Sequence, residues 1–155
     1  MPFQMFHDLF SALAERETRC ITVMSNAEVD LPPGDYFFHE MFCNDQGCDC
    51  RRVFFFVVSS VRKDVEAVVA WGWEKPAFYA KWLGDDDLNA VVDLKGPILN
   101  LPSPQTALAP AILELARNLL LRDPDYVARI KRHYRLFRDK VDGKSTGKSK
   151  GRLPK

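Results

Sequence analysis

Three cysteines lie within eight residues of the sequence, at Cys43, Cys48 and Cys50. Thiolate sulfur is a preferred ligand of zinc, and structural zinc sites usually place two ligands close together at a tight turn. The intervening residues 44–47 read Asn-Asp-Gln-Gly, which is typical of a turn. In an extended segment, the side chains of Cys48 and Cys50 point to the same side, about 6.6 Å apart. This spacing predicts a structural zinc site, and the alternative is three reduced thiols in a hairpin turn.

Disulfide formation explains the spacing of the cysteines less well than metal binding does. A disulfide between Cys48 and Cys50 would close a strained ring, and disulfides are rare in the cytosol. The first ten residues, MPFQMFHDLF, have neither the basic region nor the continuous apolar region of a secretory signal. The apolar stretches are also too short to cross a bilayer. We therefore expect a cytoplasmic protein with reduced thiols and no membrane partner.

A tetrahedral zinc site needs a fourth ligand, and His133 is the best candidate. It lies beside the apolar stripe of a predicted helix and should face the sheet, although a histidine there is also typical of a hydrogen-bonded core residue. Cys20 starts a predicted strand, where a free cysteine is commonly a small buried apolar residue. His39 shares a strand face with Cys43 but lies about 13 Å away along the strand, so it would require a bulge. His7 is the most distant choice.

Most of the first half of the chain has the pattern of strands, which must position the cysteines. Short polar turns between the apolar runs predict an antiparallel meander. Residues 85–94 remain ambiguous, because three aspartates there could either cap a helix or precede a strand. A short amphipathic helix is expected at 3–15, and strands are expected at 18–24, 36–42, 53–61, 65–73 and 78–83.

Helices are predicted after residue 100. One should end near Leu121, and a second should begin with Asp123 as its N-cap and Pro124 as its first residue. Apolar residues then recur at spacings of three and four up to Val141, which is the helical period. Strands followed by helices predict an α+β fold, with an antiparallel sheet of four or more strands and C-terminal helices packed on it.

The chain of 155 residues is long enough for one core, and we expect a single α+β zinc-binding domain over residues 1–141. Charge is unevenly distributed, since eleven of the 22 Lys and Arg residues lie at 129–155 together with only two acidic residues. Gly, Lys and Ser predominate after residue 141, which predicts a basic, disordered tail over 142–155. The basic helix and tail could bind nucleic acid or an acidic partner. A solvated helix face followed by a soluble tail explains the same charges.

Three segments of the chain resemble a known group of sequences. The segments GDYFFHEMFC, CDCRRVFFFV and DPDYVARIKRHYRLF resemble an uncharacterised family of small bacterial proteins with a Cys-x4-Cys-Asp-Cys turn and a late His-Tyr pair on a helix. The resemblance covers residues 36–137, and it implies that Cys43, Cys48, Cys50 and His133 belong to one site. It implies no activity. Some relatives carry an additional SEC-C-type zinc motif, which this chain lacks.

Three kinds of function follow from these residues. The sequence contains no glycine-rich phosphate loop, no nucleophile elbow and no His-Glu-x-x-His helix. This favours a zinc-stabilised, non-enzymatic module that binds a partner. A zinc-dependent enzyme would instead leave the fourth coordination position to water, with Glu40 or Asp49 as its general base. A thiol redox protein would use the Cys-Asp-Cys segment, next to which two arginines could favour thiolates.

Overall fold

The computed structural model describes residues 2–84 and 87–143. In this part of the chain, six strands form one antiparallel sheet, which confirms the predicted α+β fold. The strands are β1 (Phe3–Met5), β2 (Arg19–Val23), β3 (Gly34–Cys43), β4 (Arg52–Ser59), β5 (Val65–Gly72) and β6 (Ile98–Leu99). The helices are α1 (Phe6–Leu9), α2 (Ser11–Glu17), α3 (Pro76–Leu83), α4 (Leu88–Lys95), α5 (Ala109–Asn118) and α6 (Pro124–Val141), with a 3₁₀ turn at Leu120–Arg122.

Strand β3 organises the sheet. One of its edges pairs with β4, and its other edge is shared by two strands, with β2 beside residues 34–38 and β1 beside residues 41–43. The sheet continues from β4 through β5 to β6, and every pair is antiparallel. The loop between Cys43 and β4 connects β3 to β4, so the cysteines lie at one end of these two neighbouring strands.

Alternation along β3 sends its even-numbered side chains into the main core. Tyr36, Phe38 and Phe42 are fully buried there, and Glu40 shares their face. Full burial of a large apolar side chain contributes about 1.5–3 kcal/mol, so this row attaches β3 firmly to the helices above it. The helix residues in this core include Ala109, Ile112 and Ala116 of α5 and Ile130, Tyr134 and Phe137 of α6.

Two predicted elements differ from the structure. Residues 78–83 were expected to form a strand, but they belong to α3. Pro76 begins this helix at a position where its missing N–H costs nothing, and Gly84 ends it in the left-handed region with φ of 75°. Of the predicted helix at 3–15, the first three residues form β1 instead, and the rest is divided at Phe10 into α1 and α2.

The beginning and end of α6 are confirmed. Asp123 is the N-cap, and its carboxylate accepts hydrogen bonds from two main-chain N–H groups of the first turn. Pro124 follows as the first helical residue, and the helix ends at Val141. The capping signals are local, because they depend on a residue and its next few neighbours.

Asp87 caps α4 in the same way, by accepting from the N–H of Asn89. The ambiguous segment is therefore helical from Leu88 onward. Asp85, Asp86 and residues 144–155 lie outside the described residues, and with them most of the predicted tail. Within the described ranges, no helix combines the length and the hydrophobicity that a membrane span needs.

Candidate metal centre

Cys43, Cys48 and Cys50 converge in the structure. Their sulfur atoms all lie within 4.8 Å of one another. Sulfurs that share a tetrahedral zinc ion at about 2.3 Å would lie about 3.8 Å apart. A contraction of the loop by about 1 Å at most would therefore place an ion among them. Cys43 and Cys50 are buried, whereas Cys48 is partly exposed. These three residues can hold a metal ion.

The loop turns toward the sulfurs through two residues in the left-handed region. They are Gly47, with φ of 78°, and Arg51, with φ of 51°. Glycine adopts this conformation without cost, but a residue with a long side chain must be held in it by its surroundings. Two tyrosines hold Arg51: its N–H donates to the hydroxyl of Tyr134 at 3.1 Å, and its carbonyl accepts from Tyr79 at 2.8 Å. The chain can therefore turn sharply immediately after Cys50.

Helix α6 fixes the other end of the loop through a buried guanidinium. Arg138 is only 7% exposed and donates to the carbonyls of Cys43 and Asp45. The same side chain pairs with Asp142 at 2.9 Å, and Asp142 in turn accepts from the N–H of Gly47 at 2.8 Å. These contacts link the backbone around the first cysteine to the last turns of the C-terminal helix.

Burial disfavours the ionised form of two of the three thiols. Burial raises the pKa of Cys50 to about 12, and the neighbouring Cys48 and Cys43 add to the rise. Burial also raises the pKa of Cys43. A bound metal would reverse this preference, because a coordinating thiol is deprotonated. The partly buried guanidinium of Arg52 interacts electrostatically with Cys50 and Cys43, so it would offset part of the thiolate charge.

A cleft of about 750 Å³ opens beside the loop. Among the three cysteines, Cys48 is the one that lines it. Another part of its wall belongs to α6 and includes Lys131, Tyr134 and Arg135. The loop that follows Cys43 therefore borders a cavity that reaches solvent.

His133 lies away from the cysteines, contrary to the prediction that it is their fourth partner. Its Nδ1 is 2.7 Å from Oε1 of Glu40, and its Nε2 is 2.7 Å from Oε1 of Glu17. The ring also stacks on Phe6, with centroids 4.3 Å apart. Both ring nitrogens are thus engaged by carboxylates. The physical reason is that successive side chains of a strand point to opposite faces. Glu40 lies on the face of β3 that α6 covers, and Cys43, three positions further on, lies on the other face.

The other candidates for the fourth ligand also lie elsewhere. Cys20 is exposed on the edge strand β2. His39 is in the middle of β3, opposite Phe56 of β4, and His7 lies 3.6 Å from Glu15. In residues 2–84 and 87–143, no other Cys, His, Asp or Glu joins the three sulfurs within 4.8 Å.

Tyr134 and Arg138 are site residues whose role was not predicted. Tyr134 fits the helical period of apolar residues that runs up to Val141, and its ring is buried in the core. That period gives no indication that its hydroxyl contacts the loop. Arg138 lies one turn later on the same face, and this i, i+4 relationship is the signal that could have identified it. An arginine on the buried face of a helix needs partners, and main-chain carbonyls of a nearby loop can supply them.

Comparison of the chain with protein-family models, with curated proteins and with solved structures finds no match. The resemblance to a family of small bacterial proteins therefore stays a prediction. The chemistry of the site has to be argued from its own residues.

Proposed function

We propose that the chain is a zinc-stabilised α+β module that binds a partner and does not catalyse a reaction. The observation that carries this proposal is the convergence of three cysteine sulfurs within 4.8 Å of one another. Thiolate-rich sites favour zinc among the common divalent metals that lack redox chemistry. The excess of basic residues at 129–155 favours an acidic partner.

The metal would act as a local clip. It would join the end of β3 to the approach to β4, at a loop that α6 already holds through Arg138. Because the sulfurs converge only when this loop is folded, the free energy of metal binding adds to the free energy of folding. Two of the three thiolates, those of Cys43 and Cys50, would be shielded by burial, which suits a structural ion.

A zinc-dependent enzyme is less well supported, because neither expected general base is suitably placed. Glu40 lies on the α6-facing side of β3, where it is hydrogen-bonded to His133. Asp49 lies closer, but the hydrogen bonds from Arg51 lower the pKa of Asp49 below its usual range. A carboxylate with a lowered pKa is a weak base, since proton transfer favours a pKa near the working pH.

A thiol redox protein is also less well supported. Redox exchange requires a thiolate at neutral pH. Burial instead raises the pKa of Cys50 to about 12. Arg51 is occupied by the carboxylates of Asp49 and Glu74, which limits its effect on the thiols. The lowering of the pKa of Cys50 by Arg52 is smaller than the rise caused by burial.

Metal content tests the proposal. We expect one equivalent of zinc in the purified chain, retained on dialysis and released when a reagent blocks the thiols. Cys48→Ser and Cys50→Ser should each lose zinc, whereas Cys20→Ser should keep it, because Cys20 is exposed on β2. Equal zinc in all three variants, or none in the parent chain, would overturn the proposal.

A further inference from the structure

The three cysteines can supply three of the four ligands that a tetrahedral metal ion takes, so one coordination position is left without a cysteine ligand. Zinc takes four ligands in structural sites, and the cluster supplies three. No other Cys, His, Asp or Glu in the described ranges places a ligand atom within 4.8 Å of all three sulfurs. Residues 144–155 contain none of these four residue types, and Asp85 and Asp86 are the only such residues outside the described ranges. The remaining position is therefore available to a donor from outside the cluster.

The burial of the cysteines determines the side from which such a donor can arrive. Cys43 and Cys50 are buried and close the group toward the interior. Cys48 is partly exposed and lines the cleft of about 750 Å³. A donor that comes from solvent therefore approaches through this cleft. Its volume is in the range that holds a small molecule.

Most acidic groups of the cleft are already paired within the chain. Arg51 contacts Asp49 at 2.9 Å and Glu74 at 3.2 Å. Arg138 contacts Asp142 at 2.9 Å. These carboxylates are therefore already engaged within the chain, although Arg51 offsets the charge of only one of its two partners and the bases and acids that line the cleft are equal in number.

Two cations of the cleft, by contrast, are available to a ligand. Lys131 and Arg135 are exposed on successive turns of α6 and line the cleft. Neither makes an ion pair with another residue of the described ranges. Asp139 also lines the cleft and compensates one of the two charges. An acidic group on a ligand would find its hydrogen-bond donors on this wall.

We propose that the fourth position of the metal faces the cleft and binds a small acidic thiol, whose sulfur joins the metal and whose carboxylate lies beside Lys131 and Arg135. The thiol proton passes to solvent as the sulfur–metal bond forms, and neither partner is oxidised or reduced. A thiolate is one of the donors that complete a metal site already held by three sulfurs. The inference rests on the proposed metal site and names the class of partner that the module binds.

Cobalt substitution tests the inference with a spectroscopic signal. The full-length chain, reduced with a phosphine and loaded with Co²⁺, should show sulfur-to-cobalt charge-transfer absorption. Titration with mercaptopropionate should then increase this absorption to saturation, as a fourth thiolate binds. Mercaptoethanol, which lacks the carboxylate, should bind about two to five times more weakly, the factor that a solvent-exposed charge pair provides.

A double substitution and its control locate the acidic group. Lys131→Gln/Arg135→Gln should remove the preference for mercaptopropionate over mercaptoethanol. Lys140→Gln, a neutralised exposed lysine elsewhere on α6, should keep it. A preference that survives the double substitution, or that is missing in the parent chain, overturns the assignment of the acidic group to this wall. Cobalt that binds but does not respond to either thiol overturns the open position and leaves the metal site intact. A chain that binds no cobalt or zinc overturns both proposals.

Discussion

Nδ1 of His133 lies 2.7 Å from Oε1 of Glu40, and both side chains are buried between α6 and β3. The second ring nitrogen meets Glu17, the last residue of α2, at 2.7 Å. Because both ring nitrogens face carboxylate oxygens, one imidazole connects the N-terminal helices, the central strand and the C-terminal helix. This network is separate from the cysteine group, and the two can be tested independently.

Removal of the imidazole should destabilise the fold without removing the metal. His133→Ala leaves Glu40 buried with one of its partners missing, and the loss of a partner from a buried pair costs about 3 kcal/mol. Chemical denaturation measures the free energy of unfolding, and metal analysis of the folded variant should still give the zinc content of the parent chain. His7→Ala is the control, because the side chain of His7 is 47% exposed. Zinc loss from folded His133→Ala would restore His133 as a ligand.

The hydroxyl of Tyr134 should control how firmly the loop holds its metal. It donates to Asp49 at 2.9 Å and accepts from the N–H of Arg51 at 3.1 Å. Tyr134→Phe should therefore cost about 1–2 kcal/mol of stability and speed the transfer of zinc to a chelator. Tyr126→Phe is the matched control, since its hydroxyl bonds Glu40 at 3.0 Å in the other network. It should lower stability similarly and leave the rate of zinc transfer unchanged; equal rates in all three proteins would show that the hydroxyl is irrelevant to the site.

Gly72 should resist substitution because of a close approach rather than its backbone angles. A Cβ at this position would lie 2.1 Å from the hydroxyl oxygen of Tyr79, which donates to the carbonyl of Arg51. Gly72→Ala should therefore displace Tyr79 and cost about 1–3 kcal/mol, as overpacking does. Thermal unfolding in a double-mutant cycle checks the cause. In a Tyr79→Ala background the cost of Gly72→Ala should shrink, and an unchanged cost would point to another contact.

The stability of the fold should fall in acid partly through Glu66. Its carboxylate is buried and accepts from Arg62, Ser59 and Thr106, and the bond from Arg62 is the main cause that lowers the pKa of Glu66 to about 2. Because the pKa of Glu66 is lower in the folded state, its ionised carboxylate stabilises the fold at pH values above the usual pKa of 4.5. This contribution, on the order of 3 kcal/mol, is lost as the pH falls from about 5 toward 2.

Denaturation series at several pH values can isolate this residue. Glu66→Gln should be less stable than the parent chain at neutral pH and should show a shallower decline in acid. Glu114→Gln is the control, because Glu114 is exposed and pairs with Arg117 on the surface of α5. Parallel pH profiles for Glu66→Gln and the parent chain would assign the acid sensitivity to other carboxylates.

Much of the fold could be predicted because its signals are local. The aromatic run of β3 and the Val-Phe run of β4 have the composition of strands, and Asp123 followed by Pro124 specifies a helix start. The segment 78–83 was assigned wrongly because its aromatic residues fit a strand as well as a helix. The ends of the helix are set locally by Pro76 and Gly84, and its Tyr79 is fully buried and reaches back to the loop that contains the cysteines.

The sequence by itself determined that three thiols meet at one turn, because Cys43, Cys48 and Cys50 are close neighbours along the chain and turn residues separate them. Only the tertiary structure decided what surrounds them. Glu40 lies on the face of β3 that α6 covers, which places it against His133. Arg138 lies on the face of α6 that meets the loop. These contacts join residues more than ninety positions apart in the sequence. Which face of a sheet a side chain meets depends on how the helices pack, and the spacing of residues within a short segment does not show this.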